Sequence, residues 1–437
     1  MHIVQLTPGT GNFYCGACLR DHALLRALRR MGHETLMVPM YLPLVVEEPI
    51  HQDGNRQADQ IFFGGINVYL QQKLRLFRRT PRWIDRWLDS PRLLRWIGQR
   101  SNMTRPDDLS EITLSMLRGE DGRQAKEVNK LIDWLVASPK TDVVNLSNAL
   151  LVGLAGPIKA RLNVPVVCTL QGEDAFLDAL SPPSNDEAWR ALAERARDID
   201  AFVAISQYYG DLMTRRLGLP EQRVHVVHNG IPLDDYPKPQ DRPPIQSKFP
   251  VLGYFARMCP AKGLHTLVEA YIRLKTSGRC EDLKLHVAGS VTSADKSYVA
   301  AMRQKLENAG VLADVTVTAN PNRTAKLAML QELSVFSVPA TYGESFGLYI
   351  LEALAAGVPV VQPRHGAFEE LLAATGGGIL CEPDDPARLA EQIEALLVDE
   401  NRRRTLGDEG QRNVFERFSD DRMAKEVASL YGQLLKS

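Results

Sequence analysis

Glu344 and Glu352 stand eight positions apart in the stretch YGESFGLYILEALAAGVPVV, and the residues between them are mostly apolar. Carboxylates accept hydrogen bonds from hydroxyl groups, so two of them at one helix could hold two hydroxyl-bearing parts of a ligand. The pattern predicts a helix capped by Ser345 and stopped by Gly357. No Glu or Gln lies three residues after Ser345, so no capping box forms. The N–H groups around Phe346, Gly347 and Leu348 are then expected to meet an anion, and Gly347 has no side chain to block a phosphate. If the stretch were wholly helical, eight residues would span roughly 12 Å. That is the reach of a diphosphate with a sugar on one side and a ribose on the other. The competing reading leaves Glu344 in a solvated loop and Glu352 on the wet face of the helix.

A second motif, FARMCPAKGLHTL, changes the balance. Arg257 and Lys262 follow a strand end and precede a helix. A lone cation there is ordinarily a surface charge. Two of them, facing a helix N-terminus across the expected switch point of a sheet, make a diphosphate clamp.

These residues need a scaffold, and the chain reads as one. HIVQLT, ETLMVPM, DVVNLS, VPVVCTL, AFVAIS and VHVVHNG are strand candidates in the first half, with amphipathic helices between several of them. A second alternation follows, with strands VLGYFA, LKLHVAG, VTVTA, SVFSVPA, VPVVQP and GGILCEP. Alternation of this kind is that of α/β domains built on parallel sheets covered on both faces. Between the halves, PLDDYPKPQDRPPIQSKFP holds six prolines and no periodicity, which reads as a linker over 232–248. The expected domains are therefore 1–231 and 249–420, with a final helix at 421–437 able to return to the first. Two such domains on a hinge predict a ligand held between them.

Composition narrows the class. The 437 residues suit two or three domains, and 44% hydrophobic with 24% charged residues describes a globular protein. A net charge of −1 supplies no field for nucleic acid. No run of 18 apolar residues suggests a membrane-spanning helix, and MHIVQLTPG reads as a strand, with no signal peptide. Six cysteines do not form a disulfide framework, so a cytoplasmic setting is expected.

The set of motifs resembles the family 4 retaining glycosyltransferases of the GT-B fold. The matching pieces are ARMCPAKG, the two glutamates of ESFGLYILE, GVPVV followed by HGAFEELL, and GGILCEPDDPARLAEQI, with RALRRMGHE and VHVVHNGI in the first half. The resemblance implies two Rossmann-like domains facing across a cleft, and a last helix crossing back to the first domain. It implies a nucleotide-diphosphate-sugar donor held mainly by the second domain, and transfer to a hydroxyl acceptor with retention. By the match, Arg257 and Lys262 take the diphosphate and Glu352 the ribose. Glu344 and the Phe346–Leu348 backbone then take the sugar and the distal phosphate. Glu370 matches a further family glutamate, with a structural role. Neither a cofactor nor a metal is required in this reading, since Arg257, Lys262 and the helix end offset the diphosphate charge. The donor nucleotide is open, and the acceptor is a sugar, a lipid or a small molecule.

Three features depart from the family. Counting back from Gly32–His33 places CGAC, Cys15 to Cys18, on the loop after the first strand, where Gly16 keeps the glycine that lets the backbone approach the donor. No second ligand pair accompanies CGAC, so a structural or acceptor-facing loop is favoured over a zinc or redox site, and no stoichiometric zinc is expected. In TLQGED, Gln171 stands where the family usually has a histidine, followed by Glu173 and Asp174 on the acceptor or sugar side. Glutamine can bond a hydroxyl but cannot shuttle protons. Finally, residues 73–105 carry ten Arg or Lys against two Asp, with Phe77, Trp83, Trp87 and Trp96 interleaved. Two readings are open: peripheral contact with an anionic membrane face, or an amphipathic insertion with solvated arginines. The rivals to a transferase are a nucleotide-sugar epimerase on the same fold and a non-catalytic nucleotide-sugar sensor.

Overall fold

The structure, a computed structural model, describes residues 1–8, 16–40, 106–242 and 247–436. Cys15, the 73–105 arm and residues 243–246 of the expected linker lie outside the described residues. The chain divides into two compact units, Met1–His228 with Met423–Ser437, and Asn229–Arg422.

All twelve expected strands form. In the first unit β1 (His2–Thr7), β2 (Glu34–Pro39), β3 (Val143–Leu146), β4 (Val166–Leu170), β5 (Ala201–Ala204) and β6 (Val224–Val226) make a sheet in the order β2-β1-β3-β4-β5-β6. Every described pair is parallel. Successive strand residues point to opposite faces, and here both faces are buried. Val4, Leu6, Val144, Leu146, Val166 and Cys168 enter one core. Their neighbours Ile3, Val143 and Val167 enter another, on the opposite face. A strand buried on both sides is largely apolar, so HIVQLT and VPVVCTL read as near-continuous runs rather than alternations; the buried Gln5 and Thr169 within them both accept from Asn145 of β3, at 2.7 and 3.3 Å.

The last helix, Asp420–Leu434, belongs to this unit from Met423 onward. Its Met423, Ala424, Val427, Leu430 and Tyr431 recur at helical spacing and pack with Ile3, Leu24, Leu28 and Val167. The returning helix is therefore a structural part of the first core.

The second unit repeats the plan. Its strands β7 (Val251–Phe255), β8 (Lys284–Gly289), β9 (Val315–Ala319), β10 (Val335–Phe336), β11 (Val360–Pro363) and β12 (Gly378–Cys381) form a parallel sheet in the order β12-β11-β10-β7-β8-β9. The chain runs outward from β7 to β9, then restarts at β10 on the other side of β7. The loops after β7 and β10 therefore leave the sheet side by side and in opposite directions. Such a switch point opens a crevice at the carboxyl ends of the strands.

The expected linker is not free-standing in its described part. Tyr236 is buried, and Asp235 accepts from Arg323 at 2.7 Å. Arg242 donates to the Gly357 carbonyl at 3.1 Å and pairs with Asp408 at 2.8 Å. Gln411 donates to the Pro237 carbonyl at 3.0 Å. Prolines remove backbone donors and keep the segment irregular, but side chains from distant positions dock it on the second unit. Among the described residues no helix is long and apolar enough to cross a membrane.

Candidate active site

The site is built at the switch point of the second unit. After β7 the chain runs through Arg257 into a short 3-10 turn, Pro260–Lys262, and then the helix Leu264–Thr276. Gly263 joins turn to helix at φ 68°. A Cβ there would lie 1.6 Å from the Pro339 carbonyl oxygen, so only glycine lets the loops after β7 and β10 come this close. Thr341 N–H, on the second loop, donates to the Ala261 carbonyl at 3.0 Å and fastens them together.

Lys262 reaches across this join. Its Nζ donates to the Tyr342 hydroxyl at 2.6 Å and to Glu344 Oε2. Glu344 also accepts from Tyr342 at 3.2 Å and from Tyr349 at 3.0 Å. The Lys262 and Glu344 side chains are 20% and 10% exposed. Burial works against charge on Lys262, but Glu344 and Tyr342 outweigh it and raise the ammonium above the ordinary lysine range. Burial, with the same carboxylate, pushes Tyr342 up to about 12. Around Glu344 the group is thus a protonated lysine and two neutral phenols at working pH. An ammonium has three N–H donors. Glu344 and Tyr342 take two, so one can reach a ligand oxygen with the pair intact.

Arg257 is held differently. Its Nε and Nη2 donate to the two oxygens of Asp295 at 3.0 and 3.1 Å. Asp295 is itself fixed by a capping box with Thr292 around the 3-10 turn Ser293–Asp295, which leads into the helix Lys296–Asn308. Those hydrogen bonds raise the guanidinium above its ordinary value. On Asp295, burial acts upward, but Arg257 and Thr292 prevail and hold the carboxyl below its usual value. The Arg257 side chain remains half exposed, and the Asp295 fork leaves Nη1 to face a ligand.

The helix after β10 starts later than expected. Gly347, not Ser345, is the N-cap, at φ 96° and ψ 62°, and the helix is Leu348–Ala355. Ser345 and Phe346 are buried in the loop ahead of it. A Ser cap needs extended backbone just before the first turn; here that place is left-handed, which favours glycine. The leading N–H groups are therefore those of Leu348 and Tyr349, since Ile350 already donates to the Gly347 carbonyl at 2.9 Å. Glu344 lies outside the helix, so the helical rise does not measure its separation from Glu352. The Glu344 carbonyl is pinned by Ala367 N–H at 2.9 Å, from the HGAFEELL motif.

Glu352 is on the helix but not on a wet face. Lys326, from the helix Arg323–Glu332, donates to its Oε1 at 2.8 Å. The Lys326 side chain is 3% exposed.

On the first unit, Gln171 Nε2 donates to the Ser147 carbonyl at 2.5 Å. Glu173 is buried, and both its oxygens accept: Oε1 from Ala149 N–H at 2.8 Å, Oε2 from Gln171 N–H and the Tyr209 hydroxyl, each at 2.9 Å. Burial raises its carboxyl despite these bonds. It is a strut between the loops after β3 and β4. Asp174 is partly buried beside it. Gly16 opens the helix Gly16–Arg30, and Cys18 lies in its first turn, buried, with its sulfur 3.6 Å from Thr7 Oγ1. Gly16 and Cys18 are thus helical rather than on a loop. Among the described residues no three His, Cys, Asp or Glu side chains gather to hold a metal ion.

Sequence reasoning passed over Tyr342, Tyr349, Asp295 and Lys326. The tyrosines were in plain view in YGESFGLY. Lys326 left a signal too: it lies three and four positions before the buried Met329 and Leu330, on the apolar face of its helix, where an unpaired lysine is rare.

Known proteins carry the same motifs. Residues 236–413 match the glycosyl transferases group 1 family model, and residues 112–235 match glycosyltransferase family 4. A D-inositol 3-phosphate glycosyltransferase of Xylanimonas cellulosilytica is 28% identical over 349 residues, covering 76% of this chain and 78% of the relative. An N-acetyl-α-D-glucosaminyl L-malate synthase of Bacillus anthracis is 25% identical over 279 residues, covering 62% and 69%. Among solved structures, sucrose-phosphate synthase from Thermosynechococcus elongatus superposes with a TM-score of 0.73 at 18% identity, over 100% of this chain and 99% of that one. Anabaena HepE gives 0.70 at 18%, over 98% and 99%; at such identities both speak for the fold alone. Fold, motifs and both family matches agree: the chain is a family 4 glycosyltransferase of the GT-B fold.

Proposed function

We propose that this glycosyltransferase moves a sugar, by choice a hexose, from a nucleotide-diphosphate-sugar donor to a hydroxyl acceptor, with retention of anomeric configuration. The observation that carries the reading is the contact of Lys262 with Glu344: the cation matched to the diphosphate touches the carboxylate matched to the sugar. A donor bridging them has its leaving phosphate and its sugar hydroxyls at one place. The Anabaena neighbour was solved with UDP and glucose and with UDP-glucose, the class of donor this reading needs. The relatives' names span an inositol phosphate, malate and glycogen, so the acceptor is assigned only as a hydroxyl compound.

Negative charge grows on the diphosphate as the glycosidic bond breaks. Lys262 meets it with its third N–H, Arg257 with Nη1, and the helix at Leu348 with its positive end. These groups supply the compensation that a metal ion supplies elsewhere, and activity is expected to persist in chelator. A covalent route would need a carboxylate aimed at the anomeric carbon. The first unit offers Glu173 and Asp174: Glu173 spends both oxygens on Ala149, Gln171 and Tyr209, and a glycosyl-enzyme trapped on Asp174 would count against the same-face route. Attack on the face of departure, with the leaving oxygen taking the acceptor's proton, is therefore the favoured route.

Donor hydrolysis without acceptor, screened over UDP-, GDP- and ADP-sugars, tests the reading. Release of the free nucleotide diphosphate from one donor supports it. The configuration of the first-formed sugar, followed by NMR, then separates retention from inversion. No turnover of any donor despite tight binding would point to a sensor, and an inverted product would end the same-face route.

A further inference from the structure

We infer that Lys326 is a positioning residue for nucleotide recognition, orienting Glu352 so that the site distinguishes a ribose from a deoxyribose. The inference rests on the reading of Glu352 as the ribose carboxylate and deepens it.

Lys326 lies on the helix Arg323–Glu332, capped at Asn322 by a side-chain bond to Ala325 N–H at 2.8 Å. It points inward among Met329 and Leu330 and is 3% exposed. Its Nζ donates to Glu352 Oε1 at 2.8 Å and lies 5.5 Å from the centroid of the Phe255 ring, at the end of β7. Taking an ammonium out of water costs several kcal/mol, and a well-packed apolar side chain does the structural work as well or better. A lysine at this depth is therefore informative: the position uses the charge. What the charge does is local. A glutamate side chain turns about three bonds, and one oxygen fixed by Lys326 stops that motion. The carboxylate is then presented in one orientation from a rigid helix, and a hydroxyl that bonds it loses nothing in ordering it. The N-cap keeps the lysine's own helix in register, so the orientation is set by two helices rather than by a loop.

Calorimetry on the full chain tests this. UDP, GDP and ADP identify the diphosphate that the wild type binds, and its 2′-deoxy counterpart is the second probe. The wild type is expected to prefer the ribonucleotide by about tenfold, the worth of one good hydrogen bond. Lys326→Met should reduce that preference to within about twofold, the loss falling on the ribonucleotide, with the deoxy form bound as before. Lys326→Arg should restore part of it. Thermal melting establishes that each variant is folded; if Lys326→Met is not, Lys326→Gln carries the same expectation. A folded variant that keeps the full preference, or that loses both ligands equally, overturns the inference. Glu352→Gln separates the two ideas. If it loses the preference and Lys326→Met does not, the positioning role alone fails. If Glu352→Gln keeps the preference, or the wild type shows none, the ribose assignment fails and this inference with it.

Discussion

Lys262 and Glu344, 82 positions apart in the chain, are hydrogen-bonded to each other, and the Tyr342 hydroxyl touches both. The pair joins the two loops that flank the switch point, so it is part of the packing and, in the proposed reading, part of the site.

Removing the lysine should be felt in both roles. Lys262→Ala is expected to cut turnover by about a hundredfold, the scale of one lost transition-state stabiliser. Its effect on donor affinity should be smaller. It also strands the Glu344 carboxylate, which at this partial exposure should cost at most about 3 kcal/mol of stability. Urea unfolding and steady-state rates on the same preparation measure the two effects. Turnover within tenfold of wild type would remove Lys262 from the chemistry.

Asp295 makes a pH prediction. Its carboxyl is held below the ordinary 3.8 in the folded chain, by Arg257 and Thr292 against the upward push of burial. Above that value both folded and unfolded chains hold it ionised, and the stabilisation is fully present. As pH falls through the depressed folded value, the folded carboxylate takes up a proton and the stabilisation is lost. Asp295→Asn should therefore melt lower at neutral pH, yet lose less on acidification from about pH 5 to pH 3 than the wild type. Parallel acid-melting curves would show that the pair contributes nothing. Activity at neutral pH should fall as well, because Arg257 loses the fork that aims it.

Gly263 should tolerate no side chain. Gly263→Ala places a Cβ 1.6 Å from the Pro339 carbonyl oxygen, in a left-handed conformation besides. The conformation alone costs about 1 kcal/mol, and the clash must move one of the two loops apart from the other. A drop in melting temperature together with loss of turnover is expected. A variant with wild-type stability and rate would show that this close approach does not matter.

How much of this was legible beforehand differs by kind of feature. The strands were: most are short, largely apolar runs, as a parallel sheet covered on both faces requires, and the partly exposed edge strand β9, VTVTA, is marked by its β-branched residues instead. The family was too, because its motifs are short local runs that keep their spelling without any neighbour in space. Local sequence misplaced the start of the helix Leu348–Ala355: Ser345 has the right chemistry for a cap, but Gly347 occupies the left-handed position, where a Cβ would lie 3.0 Å from the Phe368 ring and 3.3 Å from Ile350. The partners of the charged residues were beyond reach. The motif match gave Glu344 to a sugar, Arg257 with Lys262 to a diphosphate and Glu352 to a ribose, and named no protein partner for the three. Folding gives Glu344 to Lys262, Arg257 to Asp295 and Glu352 to Lys326. A buried or half-buried charge must find its opposite wherever the chain brings one. Sequence determines which charges exist and on which element each stands; only the order of strands around the switch point decides which of them meet.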